Sequence, residues 1–298
     1  MSSPNLDRFG VPGWLQALPF GLVFLAFFIV PLILVVIVSF WDYNDYEMIP
    51  AFITRSYSES FEGCLTNLPD LCTIFRTYLS TAKFCLIVWA LTLVIGFTVA
   101  YYLAFHIRTT TTQMVLFLIC TIPFWTSNVI RMISWIPLLG RNGLVNQTLI
   151  GAHVINQPLE WLLYSQFSVA LAFTHLFAFF MVAPIFNSMM RIDRRLIEAA
   201  YDAGATGWQM LTNVIIPLSK PGIAIGSIFV VAIVMGDFFV TKVMSGGGSA
   251  SVVGAFYEDI GVLQYPTAAA SAVILTVVLM VSVALILRTV DIRREITQ

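Results

Sequence analysis

Three ionisable side chains fall inside the most apolar stretches of this 298-residue chain: Lys83, Arg131 and Asp237. Insertion scales charge about 2.5–3.5 kcal/mol for such a group at mid-membrane, so each marks an ion pair, a substrate contact or a relay. Two chemistries fit the trio. Structurally, Asp237 can pair with Arg131 or Lys83 and set helix register, or the long cations can snorkel outward; functionally, Asp237 can face a transport path and accept hydrogen bonds from a cationic or hydroxylated solute. Trp125, Trp135 and Phe124 offer ring faces for cation–π attraction worth about 0.5–2 kcal/mol, with an interfacial-belt or packing role as the alternative, and Asn128 adds an amide near Trp125.

Other chemistries lack their residues. There is no G-x-x-x-x-G-K-[ST] to cradle a nucleotide, no H-E-x-x-H and no G-x-S-x-G nucleophile elbow, so the chain is not expected to be an enzyme. His153, His175 and the cysteines at 64, 72, 85 and 120 show no metal-ligand spacing, and no cofactor or metal is expected on this chain. Packed, hydrogen-bonded histidines are expected instead. With 15 Lys+Arg against 16 Asp+Glu, there is no electrostatic footprint for nucleic acid.

The elements that position these groups are set by composition. Hydrophobic residues make up 59% and charged residues 10% of the chain, against about 25% charged in soluble domains, so lipid is the solvent. Each crossing needs about 20 mostly apolar residues with every backbone group satisfied internally. Six stretches qualify: 17–40, 78–105, 114–136, 162–186, 222–240 and 267–287. The expectation is an all-α, multi-pass, single-domain membrane protein over 1–298. The first stretch is too long for a signal h-region and is expected to be retained.

Basic residues give the orientation. Arg8, Arg108, Arg191, Arg194, Arg195, Lys220, Arg288, Arg293 and Arg294 fall on one side, and only Arg55, Arg76, Arg141 and Lys242 on the other. Both termini are therefore expected in the cytoplasm. Loop 41–77 carries Asp42, Asp45, Glu47, Glu59, Glu62 and Asp70 and is expected outside. It either lacks basic residues for topological reasons or attracts a cation or basic partner. An oxidising compartment there permits a Cys64–Cys72 bridge, and free thiols remain the alternative.

The cytoplasmic excursion 187–221 is long for a connection inside a compact bundle. Asp193 is placed to cap a short helix, Gly204 to supply its left-handed end, and a second short helix is expected from Trp208 to a stop at Pro217. Glu198-Ala199-Ala200, then Gly204, then Val214-Ile215-Ile216-Pro217 resembles the EAA motif of ATP-binding cassette (ABC) importer permeases, with Val214 and Ile216 in place of the motif's Ile and Leu. Further stretches look like spermidine/putrescine-type permeases. These are Pro123 to Arg131, Leu139 to Asn146, Met235 to Val240 and the glycines from Gly246 to Gly248.

The resemblance implies the type I importer permease fold and a helix–turn–helix that couples to a cytoplasmic ATPase through Glu198, Ala199, Ala200, Asp202, Gly204 and Pro217. It also implies a second permease, two ATPase copies that bind ATP and Mg, an extracytoplasmic solute-binding protein and an inner-membrane location. The implied cargo is a polyamine or another small cationic or polar organic compound, passing Asp237, Arg131, Trp125 and Asn128. The main rival is an ion-gradient transporter with Asp237 as coupling carboxylate, although the chain shows no internal repeat. An intramembrane enzyme is a more distant rival.

Overall fold

The computed structural model describes residues 13–44, 47–61, 64, 72–247 and 251–288. The expectations that fall on Arg8, Asp45, Glu62, Asp70, Gly248, Arg293 and Arg294 lie outside the described residues. In chain order the elements are α1 (Gly13–Phe24), a π turn (Leu25–Ile29), α2 (Val30–Val38), β1 (Asp42–Tyr43), β2 (Met48–Ile49), α3 (Arg55–Ser60) and α4 (Thr73–Tyr101). A π turn (Tyr102–His106), α5 (Thr110–Trp125), α6 (Asn128–Ile133), α7 (Trp135–Leu139), α8 (Leu144–Gly151), a 3₁₀ turn (Glu160–Leu162) and α9 (Gln166–Met189) follow. The rest is α10 (Arg194–Asp202), α11 (Gly207–Met210), a π turn (Leu211–Ile215), α12 (Ile216–Gly236), α13 (Phe239–Met244), α14 (Val252–Gly261) and α15 (Tyr265–Arg288).

The protein is mostly helical. The all-α expectation omits one small antiparallel hairpin, in which Asp42 pairs with Ile49 and Tyr43 with Met48. It forms because Asn44 closes the turn twice: its amide donates to Glu47 O at 3.1 Å, and its side chain accepts from the Glu47 amide at 2.8 Å.

Contacts divide the chain into two compact units, Met1–Glu62 with Phe256–Leu275, and Gly63–Ala255 with Thr276–Gln298. In the first, the apolar rod Leu15–Val38 buries none of its most hydrophobic window, as expected of a helix whose solvent is lipid. The hairpin and α3 hold an ionic cluster. Arg55 Nε lies 2.6 Å from Glu59 Oε1, Arg55 Nη1 lies 3.2 Å from Asp42 Oδ1, and the Tyr43 hydroxyl donates to Glu59 Oε2 at 2.8 Å. Two of the loop's carboxylates, Asp42 and Glu59, thus share the Arg55 guanidinium.

In the second unit α9 is the hub, packed against α4 and α12, which also touch each other. Met181, fully buried, fills the space left by two glycines. A β-carbon on Gly96 of α4 would stand 2.7 Å from Met181 Cγ, and one on Gly226 of α12 would stand 2.7 Å from its Sδ. One turn away Gly222 lies against the backbone of Pro184 and Ile185. Gly222-x-x-x-Gly226 is the small-residue spacing that lets membrane helices approach closely, where packing rather than water exclusion drives association. Outside these helices, Cys64 and Cys72 form a disulfide with a Cα–Cα distance of 4.6 Å.

Two expected elements differ in shape. Instead of a straight third span over 114–136, α5 ends at Trp125 and the Asn128–Gly151 segment departs at 87°. Pro123 in the last turn of α5 weakens the helix there, and Thr126 and Ser127 adopt extended backbone. Nor does the helix after Trp208 stop at Pro217. It runs unbroken from Gly207 to Gly236, 30 residues. The π turn Leu211–Ile215 rearranges the carbonyls ahead of the proline, which then sits in the first turn of α12, where its missing N–H costs little. The same device, a π turn followed by Val30-Pro31, carries α1 into α2.

Candidate coupling and transport site

The connection between α9 and α12 is built by local capping. Asp193 accepts from the Arg195 amide at 3.0 Å and starts α10. At the other end Gly204 has φ +81°, and the Ala205 amide closes back onto Ala200 O at 3.0 Å, a Schellman-type stop. Thr206 then caps α11 reciprocally with Gln209: its hydroxyl accepts the Gln209 amide at 3.3 Å, and its amide donates to Gln209 Oε1 at 2.8 Å. A short helix, a tight reversal and the start of the long helix from Gly207 are therefore fixed by residues 193–209 alone.

Glu198, Ala199, Asp202 and Gly204 are exposed, and Ala200 is half-buried. Three large apolar side chains nearby are also uncovered: Leu196, Tyr201 and Trp208, the last with 72% of its surface exposed. An exposed apolar cluster rimmed by charge marks an interaction surface. Glu198 also lines a cavity of about 320 Å³ beneath α10, together with Tyr201, His106 and Tyr101. The π turn ending at His106 therefore supplies the floor on which α10 rests. His106 is held there by Tyr102, stacked at 5.5 Å, and Tyr101, edge-on at 5.4 Å. Sequence reasoning did not include this floor, which has no motif of its own.

At the other end of the 30-residue helix the chain breaks at Asp237. Its carboxylate accepts the Val240 amide at 2.8 Å and so begins α13. Lys83 donates to Gln166 Oε1 at 3.1 Å, and Arg131, only 8% exposed, donates through Nη2 to Asn128 Oδ1. Among the described residues the ion pairs are Arg55–Asp42, Arg55–Glu59 and Arg141–Glu160, so Asp237 pairs with neither Arg131 nor Lys83. Asn128 and Arg131 form a closed pair on α6, and Arg131 Nε keeps no partner. Trp125, 80% exposed, ends α5 at the bend. His175 is a packed, bonded histidine: Trp135 Nε1 donates to its Nδ1 at 3.1 Å.

No family model matches the chain. Individual proteins do. It is 30% identical over 236 residues to the spermidine/putrescine transport system permease protein PotB of Salmonella typhimurium, covering 77% of this chain and 80% of that protein. With PotB of Escherichia coli it shares 31% identity over 207 residues, 69% of this chain and 74% of the relative. The chain belongs to the spermidine/putrescine-type ABC importer permeases. It is a permease subunit of a binding-protein-dependent importer and a multi-pass inner-membrane protein.

The family's fold extends beyond the aligned residues. A bacterial ABC transporter for import of the acidic polysaccharide alginate superposes with a TM-score of 0.73 at 18% identity, covering 98% of this chain and 97% of that one. A bacterial alginate ABC transporter solved in complex with an alginate pentasaccharide-bound periplasmic protein gives 0.69 at 17% identity, covering 94% and 93%. A shorter match, 30% over 104 residues, is to the permease PotC of Escherichia coli, covering 35% of this chain and 39% of PotC.

Proposed function

We propose that this permease forms half of a heterodimeric pore that imports a polyamine, or another small cationic or polar organic solute. In this reading it crosses the membrane six times with both termini in the cytoplasm, the bent α5–α6 pair counting as one crossing. An extracytoplasmic binding protein delivers the solute, and two copies of a cytoplasmic ATPase bind ATP and Mg. The relatives' names favour the cargo, and the partial match to PotC favours a related second permease. The observation that carries the mechanism is the continuous helix from Gly207 to Gly236.

That helix joins the coupling segment to Asp237 without an intervening loop. At about 1.5 Å per residue it reaches about 45 Å, more than the ~30 Å hydrocarbon core, even with a π turn included. A partner subunit that grips Glu198, Ala199, Ala200 and Asp202 on α10 moves the Gly204 turn and, through Pro217 and α12, the break at Asp237. Nucleotide-dependent grip on α10 then biases the far end between two states, since a ligand shifts an equilibrium by its differential affinity. At that end the Asp237 carboxylate accepts from an ammonium group and Trp125 offers its ring. Asn128 and Arg131 hold the bent segment.

The test is uptake of labelled spermidine by proteoliposomes carrying the assembled complex. Uptake that needs hydrolysable ATP and survives an ionophore supports the reading. Uptake that collapses with the ionophore and persists without ATP replaces it with a gradient-driven carrier using Asp237.

A further inference from the structure

The second unit contains a groove that the transport reading does not use. Its volume is about 690 Å³, and its walls are α4, α12 and the C-terminal half of α15. Leu86 and Leu285 on its rim are 64% and 57% exposed, so it opens sideways rather than into the protein. From Lys220 to Met235 its α12 wall runs fifteen steps along the helix. At about 1.5 Å per residue that is about 22 Å, deeper than the ~15 Å of one leaflet's hydrocarbon.

The polar groups of the walls are already satisfied by the protein. Trp89 Nε1 donates to Ser227 Oγ at 2.8 Å, and Ser227 in turn donates to Ile223 O at 2.7 Å. Ser282 donates to Val278 O at 2.8 Å, and the Cys85 thiol faces Val231 O at 4.0 Å. A hydrated polyamine would lose its water there and gain no partner. The single charge on the lining is Lys220, exposed at one end and in no ion pair among the described residues. Arg288, in the last turn of α15, follows two residues after the lining residue Ile286. The cation on the lining repels a polycation and attracts an anionic head group.

We propose that this groove binds one acyl chain of an anionic phospholipid whose head group is held by Lys220. A long apolar slot with a cationic mouth matches the chemistry of a lipid tail below a phosphate, and basic pockets between membrane helices take such head groups. The occupied groove props α15 against α12, the helix that carries motion from the coupling segment, so the lipid tunes the stiffness of that helix.

The full-length permease in phosphatidylcholine liposomes is illuminated with photoactivatable phosphatidylglycerol or photoactivatable phosphatidylcholine, each with the reactive group at the chain end. Labelling is mapped on peptides that contain Leu86 or Val231. Phosphatidylglycerol should label these about fivefold more, the ratio equivalent to about 1 kcal/mol per cation at a membrane surface. Lys220→Gln should bring the ratio close to one. Leu86→Trp, at an exposed rim position that folding tolerates, should lower labelling by both probes. Equal labelling of the unmodified protein, a preference that survives Lys220→Gln, or protection of the groove from both probes by the second permease in the assembled complex would each overturn the proposal.

Discussion

Gly222→Ala should destabilise the membrane core even though alanine is the better helix former. The new methyl group would meet the carbonyl oxygen of Pro184 and stand 2.6 Å from Ser188 Cβ and 3.0 Å from Ile185 Cα. Carbon atoms pack best at about 3.5–4.0 Å, so α12 must retreat from α9 by roughly 1 Å. A gap of about 0.5–1 Å surrenders a quarter to a half of the dispersion well for each atom pair across the seam, and lipid supplies no hydrophobic force to restore it. Overpacking of this kind costs about 1–3 kcal/mol, while Gly→Ala in a helix interior returns about 0.5–1 kcal/mol. The net loss should centre near ~1 kcal/mol. Gly21→Ala in α1 is the control, because a β-carbon there meets nothing within 4 Å and only the helical gain remains. Reversible unfolding of the purified protein in mixed micelles reads both, with opposite signs expected. A Gly222→Ala protein as stable as the parent would refute the close-packed seam.

Three further outcomes follow from the geometry. Gly204→Ala forces a β-carbon into φ +81° at a point with free space around it, so stability should fall by only about 1 kcal/mol while uptake driven by the ATPase drops severalfold; intact coupling would remove the turn from the mechanism. Asp237→Ala leaves the Val240 amide without its acceptor and should cost about 1–3 kcal/mol, whereas Asp237→Asn keeps an acceptor oxygen and should fold normally with a raised KM for spermidine; an unchanged KM removes the substrate role. Asp259 in α14 has its pKa raised above 3.8, first by burial and then by the neighbouring Glu258 charge. The folded state thus favours the protonated acid, so its contribution to stability is full below pH 3.8 and is lost as pH rises through the folded value. Asp259→Asn should flatten that part of the unfolding profile, and an unaltered profile assigns it to another group.

Local chemistry made the coupling segment legible before any coordinates. Asp193 at a helix start and Gly204 at its end lie within a dozen residues of each other, and caps and turns are short-range, so the chain alone specifies them. The mostly helical, apolar character of the chain is readable for the same reason, since a helix in lipid must satisfy its own backbone. Pro217 shows the limit. Read as a stop, it sits inside a continuous helix, because a π turn upstream absorbs the defect and no residue pattern in the notation of helix periodicity announces it. The bend in the third apolar stretch is hidden in the same way. Apolar composition runs through Pro123 and Asn128 alike, and it records depth in the bilayer but not direction.

The sequence by itself determined that this chain lives in lipid, which residues cap the coupling helices, and which family it belongs to. Only the tertiary structure decided what the membrane charges do. Asp237 and Arg131 both fall in apolar stretches and look like an ion pair on paper, yet each bonds a neighbour three residues away, Val240 and Asn128, and Arg131 Nε keeps no partner. Depth along a helix is fixed by residue count, but the azimuth and the breaks that bring two helices face to face depend on packing. Met181 between Gly96 and Gly226 sets that packing across 130 residues of chain, a distance over which no local rule operates.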